Sequence, residues 1–222
     1  MSLHEREVEA PLIRPADNLS VQVSRALRTA VITGEMVPGV VYSVPALAEL
    51  YGVSATPVRE AVLDLVGDGL LSPVRNKGFR VIEVTQDELD QLVEVRLMLE
   101  VPAMRRVAEN AADEDLRRLA PAADAIVAAA GVGAFPDYLE QDNAFHLGAI
   151  RLLGNRVLVD VVTNLRARTR LRGLKREQEA GRLQHSAEEH QEILDALLAH
   201  DPDHTETLIR KHIQHTRDDW DV

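Results

Sequence analysis

The stretch from Gly52 to Gly69 constrains the chain more than any other. Val58, Ala61, Val62, Leu65 and Val66 fall at i, i+3, i+4, i+7 and i+8, a stripe that one helix face buries and a strand cannot. Ser54 supplies an N-cap ahead of it, and Gly67 and Gly69 end it. Thr56, Arg59 and Glu60 are left facing away from the core. Upstream, Val23, Leu27, Ala30 and Val31 draw a second stripe that Gly34 can end. Pro38-Gly39 then forces a turn, and Ser43 can cap a short helix carrying Leu47, Ala48 and Leu50 that stops at Gly52. Downstream, Leu70-Leu71-Ser72-Pro73 and Phe79-Arg80-Val81-Ile82 read as two short strands around the turn Arg75-Asn76-Lys77-Gly78.

After Val84 the β signal disappears. Thr85-Gln86-Asp87-Glu88 is a capping box, and Ser186-Ala187-Glu188-Glu189 repeats it, while Asp201-Pro202 pairs an N-cap with proline at the first helical position. Helices are expected from Asp113, from Pro136 to Leu153, from Asn155 to about Glu179, from Ser186 and from Pro202. The expectation is a mainly α protein: a winged helix-turn-helix of three helices plus a β-hairpin over 18–84, then an all-α helical bundle over 85–222. Residues 1–17, without sustained periodicity, are expected to be a flexible arm.

A last helix with an exposed polar face enters the DNA major groove by its first residues. Here those are Ser54, Thr56 and Arg59, with Arg75, Asn76, Lys77 and Gly78 at the tip of a wing. Hydroxyls suit phosphate oxygens, and an arginine can fork onto the guanine edge. Ser54 would cap its helix with or without DNA, and a lone arginine is also at home in solvent. The net charge of −11 does not decide the matter, because it is unevenly spread. Residues 1–82 hold 8 Lys and Arg against 9 Asp and Glu, whereas 83–222 hold 17 against 27. There is no cysteine, no apolar run near the roughly 18–20 residues of a membrane span and no signal-peptide core, so a cytoplasmic location is expected.

Asp142 and His146 stand one helical turn apart on one face, and His190 and His212 lie on two later helices. Three neutral imidazoles and a carboxylate suit a borderline divalent ion such as zinc or nickel. Protonated imidazole cannot ligate, so such a site is expected to fade as pH falls through about 6.5. Arg96 is the odd residue amid Leu92, Val93, Leu97 and Leu99, and a core-facing arginine needs an anionic partner. Either Glu100, at i+4, or a ligand carboxylate gripped by a two-point fork could supply it. The run Arg166, Arg168, Arg170, Arg172, Lys175, Arg176 spreads over several helix faces and is expected to be solvated and partly paired; whether one of them lines a pocket stays open.

Residues 47–82, with Leu47-Ala48, Tyr51-Gly52-Val53-Ser54, Thr56-Pro57-Val58-Arg59-Glu60-Ala61, Gly69-Leu70-Leu71 and Asn76-Lys77-Gly78-Phe79-Arg80-Val81, resemble the GntR family of transcription regulators. Asp142-Asn143-Ala144-Phe145-His146, Glu189-His190 and His212-Ile213 resemble, in order and spacing, the FCD-type effector domain of its FadR-like branch. Glu94-Val95-Arg96-Leu97-Met98-Leu99-Glu100 resembles that domain's opening helix. The resemblance implies a homodimeric repressor on two-fold, double-stranded operator DNA, with a metal held by Asp142, His146, His190 and His212. It further implies a small carboxylic-acid effector near Arg96 and Asn155 that sets the spacing of the recognition helices. His215, one turn past His212, is the reserve ligand. Pro45 and Ala55 stand where the family often has arginine, which implies an unusual operator or weaker binding. A metal-dependent enzyme acting on a small organic acid is the rival reading; no general base or nucleophile beside the histidines supports it, and it leaves the N-terminal module unexplained. A dimerisation scaffold with a dead pocket would carry no metal.

Overall fold

The computed structural model describes residues 19–169 and 181–218. The expected arm 1–17, the members Arg170, Arg172, Lys175 and Arg176 of the basic run, and the extension of a helix to Glu179 lie outside the described residues.

The N-terminal module runs α1 (Leu19–Ile32), β1 (Val41–Tyr42), α2 (Val44–Tyr51), α3 (Ala55–Gly67), β2 (Leu71–Val74) and β3 (Gly78–Val81). The stripe of α3 is buried as its spacing demands: Val58, Ala61, Val62 and Leu65 are all fully enclosed, against Leu27 and Val31 of α1. Ser43 caps α2, its Oγ accepting from the Ala46 N–H at 3.3 Å. Ser54 occupies the N-cap of α3 but makes no side-chain capping bond, so its hydroxyl, expected to be spent on the cap, stays exposed.

The hairpin gains a third strand that the sequence does not announce, because β1 is only two residues long. The order is β1-β3-β2, all antiparallel, with Tyr42 opposite Phe79 and Pro73 opposite Phe79 on the other side. Pro73 is tolerated because β2 is an edge. The wing turn closes with the Lys77 N–H donating to the Val74 carbonyl at 3.0 Å and Asn76 at φ 59°. Gly78, expected at the DNA, has a structural reason of its own: a Cβ there would meet the Tyr42 carbonyl oxygen at 2.1 Å.

The second module runs α4 (Gln86–Asn110), α5 (Asp113–Arg117), α6 (Ala120–Val132), α7 (Phe135–Arg151), α8 (Arg156–Thr169), α9 (Leu183–Leu198) and α10 (Pro202–Asp218). α4 packs along α10, α6 is covered by α7 and α9, and α8 lies against α4 and α7. Thr85 caps α4 through the Glu88 N–H at 3.2 Å, but the Glu88 carboxylate turns to Arg168 of α8 instead of closing the expected box. The second capping box is not a helix start. α9 begins at Leu183, a turn earlier, and Ser186 lies inside it, because Leu183 and Ala187 extend the buried face of Ile193 and Leu194 backwards. No helix of the described residues is long and apolar enough to cross a membrane.

The two modules meet at α1 and α7, where Arg25 pairs with Asp137 and Glu140. A second contact sets α8 against the α3–β2 corner.

Candidate metal and anion site

α7 buries Tyr138, Leu139, Phe145, Leu147, Ala149 and Ile150, and Asp142 and His146 fall on that same face. α9 and α10 each turn one histidine inward among their apolar residues: His190 beside Ile193 and Leu194, His212 beside Ile209 and Ile213. The helices thereby gather Asp142, His146, His190 and His212, and one ligand atom from each lies within 4.8 Å of all the others. Each of the four is at most 4% exposed. Phe145 packs edge-on against His146 and His190, and the His146 and His212 rings stack at 5.1 Å.

Hydrogen bonds orient the imidazoles. His190 Nδ1 faces the Ser186 and Ala187 carbonyls, each at 3.1 Å. Carbonyls only accept, so this nitrogen carries the proton and Nε2 turns its lone pair inward. His212 Nδ1 likewise donates to Glu189 Oε2 at 2.9 Å. These outer partners fix tautomer and ring direction, as they do around bound metals. His146 is the exception, its Nδ1 buried without a hydrogen-bond partner. Its Nε2 meets His190 Nε2 at 3.0 Å, and His190 Nε2 lies 3.3 Å from Asp142 Oδ1. Such separations are those of neighbouring ligands on one ion with bonds of about 2.0–2.2 Å.

Burial disfavours the charged forms of His146 and His212. His146 is held well below 6.5 by desolvation and then by the Arg166 charge, against the pull of Asp142. His212 is lowered to about 4, desolvation outweighing its bond to Glu189. Glu189 goes the other way: burial opposes its charge, but the His212 hydrogen bond and the charges of His212, His215 and Lys211 hold it at about 2. At His146 and His212, proton competition with a metal therefore begins further into acid than the ordinary histidine value implies. His215, the reserve ligand, is not among the four; its Nδ1 contacts Glu189 Oε1 at 2.9 Å, and its side chain is one-third exposed.

Behind Asp142 runs a chain of buried ions. Arg166, 1% exposed, reaches Asp142 Oδ2 with Nη2 and Glu100 Oε2 with Nη1, the latter at 2.8 Å. Arg96 reaches Glu100 Oε1 with Nε at 2.5 Å and Thr169 Oγ1 with Nη1 at 3.2 Å. Arg96 is thus engaged by Glu100, the intrahelical partner, and joins the site only through the Glu100 carboxylate that Arg166 shares. Asn155 is on the surface, where its Oδ1 accepts from the Leu158 N–H at 3.1 Å and caps α8. Arg166 was the residue to single out from the basic run. Val159, Val162 and Thr169 form the buried stripe of α8, and Arg166 sits on it at seven residues from the first and four from the second.

In the N-terminal module, Ser54, Thr56, Arg59, Arg75, Asn76 and Lys77 are all exposed, and no described residue pairs with Arg59, Arg75 or Lys77. Pro45 lies in the first turn of α2.

Comparison with known proteins agrees with both halves. The model of an FCD domain matches residues 91–215, and that of bacterial regulatory proteins of the gntR family matches residues 19–81. The HTH-type transcriptional regulator McbR of Escherichia coli (strain K12) is 30% identical over 148 residues, 67% of each chain. The HTH-type transcriptional repressor GlaR of the same organism is 25% identical over 197 residues, 85% of this chain and 90% of GlaR. The solved structure of E. coli McbR/YncC superposes with a TM-score of 0.70 at 28% identity, over 90% of this chain and 95% of that one.

Proposed function

The chain belongs to the GntR family of bacterial regulatory proteins, FadR-like branch, with an FCD domain behind its DNA-binding module, and on that premise we propose that it is a repressor whose operator binding answers to a small carboxylic acid at a divalent metal site. Its relatives are transcriptional regulators, not enzymes. The observation that carries the proposal is the buried set Asp142, His146, His190 and His212, with the lone pairs of His190 and His212 turned inward by their outer hydrogen bonds. The donor set fits zinc or nickel, which when bound would supply positive charge for an anion.

The charge of the surroundings explains why the effector should be acidic. Among the described residues Arg96 and Arg166 balance Glu100 and Asp142, and burial disfavours the charged forms of His146 and His212. A divalent ion would leave this interior positive even after Glu189 is counted, and buried excess charge is costly unless compensated. A carboxylate is the compensating group, and Arg166, which touches Asp142 directly, would hold it, with Arg96 behind it across Glu100.

DNA is read by the exposed start of α3, with Arg59 on base edges, Ser54 and Thr56 on phosphates, and Arg75 and Lys77 on the wing. Two-fold operator recognition calls for a homodimer, to be checked by sedimentation. The test of the whole reading is an operator selected from random duplexes, followed by gel shifts with zinc and a panel of short hydroxy- and dicarboxylic acids. Operator affinity that responds to an acid only in the metal-loaded protein is the expected result. Metal content near zero after zinc loading, or turnover of the acid, would refute it.

A further inference from the structure

We propose that α8 carries the state of the buried site to the DNA-binding module, with Arg166 as the sensing residue. The inference rests on the metal-site reading above and deepens it. α8 is held between two partners. On one face Arg166 spans Glu100 and Asp142, so its guanidinium draws on the same carboxylate that a cation would use. Asn164 and Arg168 stand two residues to either side, and two residues turn a helix by about 200°. They therefore share the opposite face, one turn apart.

That face lies at the junction of the two modules, against the start of α4 and against Gly69 of the DNA module. Arg168 pairs with Glu88 in the first turn of α4. A Cβ on Gly69 would lie 3.2 Å from Asn164 Nδ2 and 3.3 Å from Arg168 Cγ, so the approach is close. Gly69, at φ +73°, is the corner between α3 and β2, from which the recognition helix and the wing both depart. A cation among the histidines would take Asp142 Oδ1, which lies 3.3 Å from His190 Nε2, and by drawing charge from the carboxylate would weaken the bond that Oδ2 accepts from Arg166. Its Nε is already buried without a hydrogen-bond partner, so the guanidinium has a donor to turn toward an anion as that bond weakens. Arg166 cannot turn independently of α8, because close-packed interiors shift between discrete arrangements and do not yield smoothly. The displacement is delivered at Gly69.

The test uses the full chain, zinc as the sole probe, and an operator duplex selected from random sequence by the wild type. The wild type is expected to take up about one zinc per chain and to change its operator Kd by about 5- to 150-fold, the usual range for coupled sites. Asn164→Ala and Arg168→Glu are expected to bind zinc as the wild type does, with operator Kd changed by zinc less than about twofold. Pairing Arg168→Glu with Glu88→Arg restores the ion pair reversed and should recover coupling. Arg166→Lys keeps the charge without the fork and should hold zinc but lose the coupling, with melting curves confirming its fold. Wild-type coupling in the α8 variants overturns the proposal, as does a wild type that holds zinc without any change in DNA affinity. Absence of zinc binding in the wild type instead removes the metal-site reading, and the proposal with it; a zinc titration separates the two failures.

Discussion

His212 is depressed to about 4 because burial disfavours its charged form more than the Glu189 carboxylate favours it. In the unfolded chain the same ring titrates near 6.5, so between those values the unfolded state binds the extra proton. Stability is full above pH 6.5 and falls as acid is added down to about pH 4, by about 3 kcal/mol for this one residue. Melting of the chelated protein at pH 7 and pH 4.5 tests this: His212→Gln, which does not titrate, should shrink the difference while His146 keeps its own share, and parallel losses in both proteins would show that His212 is not a source. Glu189 is the second residue-scale case. Its bond to His212 Nδ1 holds the ring with Nε2 inward, and loss of such an outer partner lowers metal affinity by about 10–100-fold. Calorimetric zinc titration of Glu189→Ala should show that loss, with Glu189→Gln intermediate because its amide oxygen still accepts. Equal affinity in all three would mean that packing alone sets the ring.

The wing and the recognition helix are the elements whose sequence and geometry answer different questions. Gly78 reads as part of a DNA-contacting tip, yet its missing side chain is what lets β3 approach the Tyr42 carbonyl at φ 132°. Gly78→Ala should cost at least about 2 kcal/mol by denaturant titration, and a smaller loss would mean that β1 is dispensable. Arg59 and Lys77 divide the labour on DNA. Arg59→Ala should erase discrimination between operator and random duplex without changing the melting temperature. Lys77→Ala should weaken binding to every duplex alike and reduce the salt slope by about 0.9 if one phosphate contact is lost. Unchanged selectivity in the first variant would move base reading elsewhere on α3 or to the wing.

At the scale of the whole molecule ion pairs join the modules where α1 meets α7. Arg25, half-exposed, pairs with Asp137 and Glu140, and a cleft of about 460 Å³ opens beside them between α1 and α7. Exposed ion pairs of this kind contribute about 0–1 kcal/mol each, so these two add little to what holds the modules together. Metal binding should act mainly on the helical module. At a free zinc concentration 100-fold above Kd, linkage adds about 2.7 kcal/mol, which for a chain of this length is a rise of about 5–10 °C in Tm. His190→Ala should abolish the rise, as measured by thermal scans with and without zinc. A full rise in that variant would place the ion elsewhere.

Much of this was legible in one dimension, because periodicity and punctuation are local. The stripe on α3, the cap at Ser43, the turn at Asn76 and the Asp142-x-x-x-His146 spacing each depend on neighbours a few residues away. The resemblance of short motifs then tied His190 and His212 to that pair. What the sequence did not decide is pairing across long separations. Arg96 could have faced a ligand or Glu100; folding brings α8 beside α4 and engages Glu100 with both Arg96 and Arg166. Arg166 looked like one more cation in a basic run until the stripe of α8 turned it inward. β1 is too short to show any alternation and exists only because β3 lies beside it. Glu88 closes no capping box because Arg168, 80 residues away in the chain, offers it a full charge. Each outcome is a competition among several chemically adequate partners, and only proximity in the folded chain selects the winner.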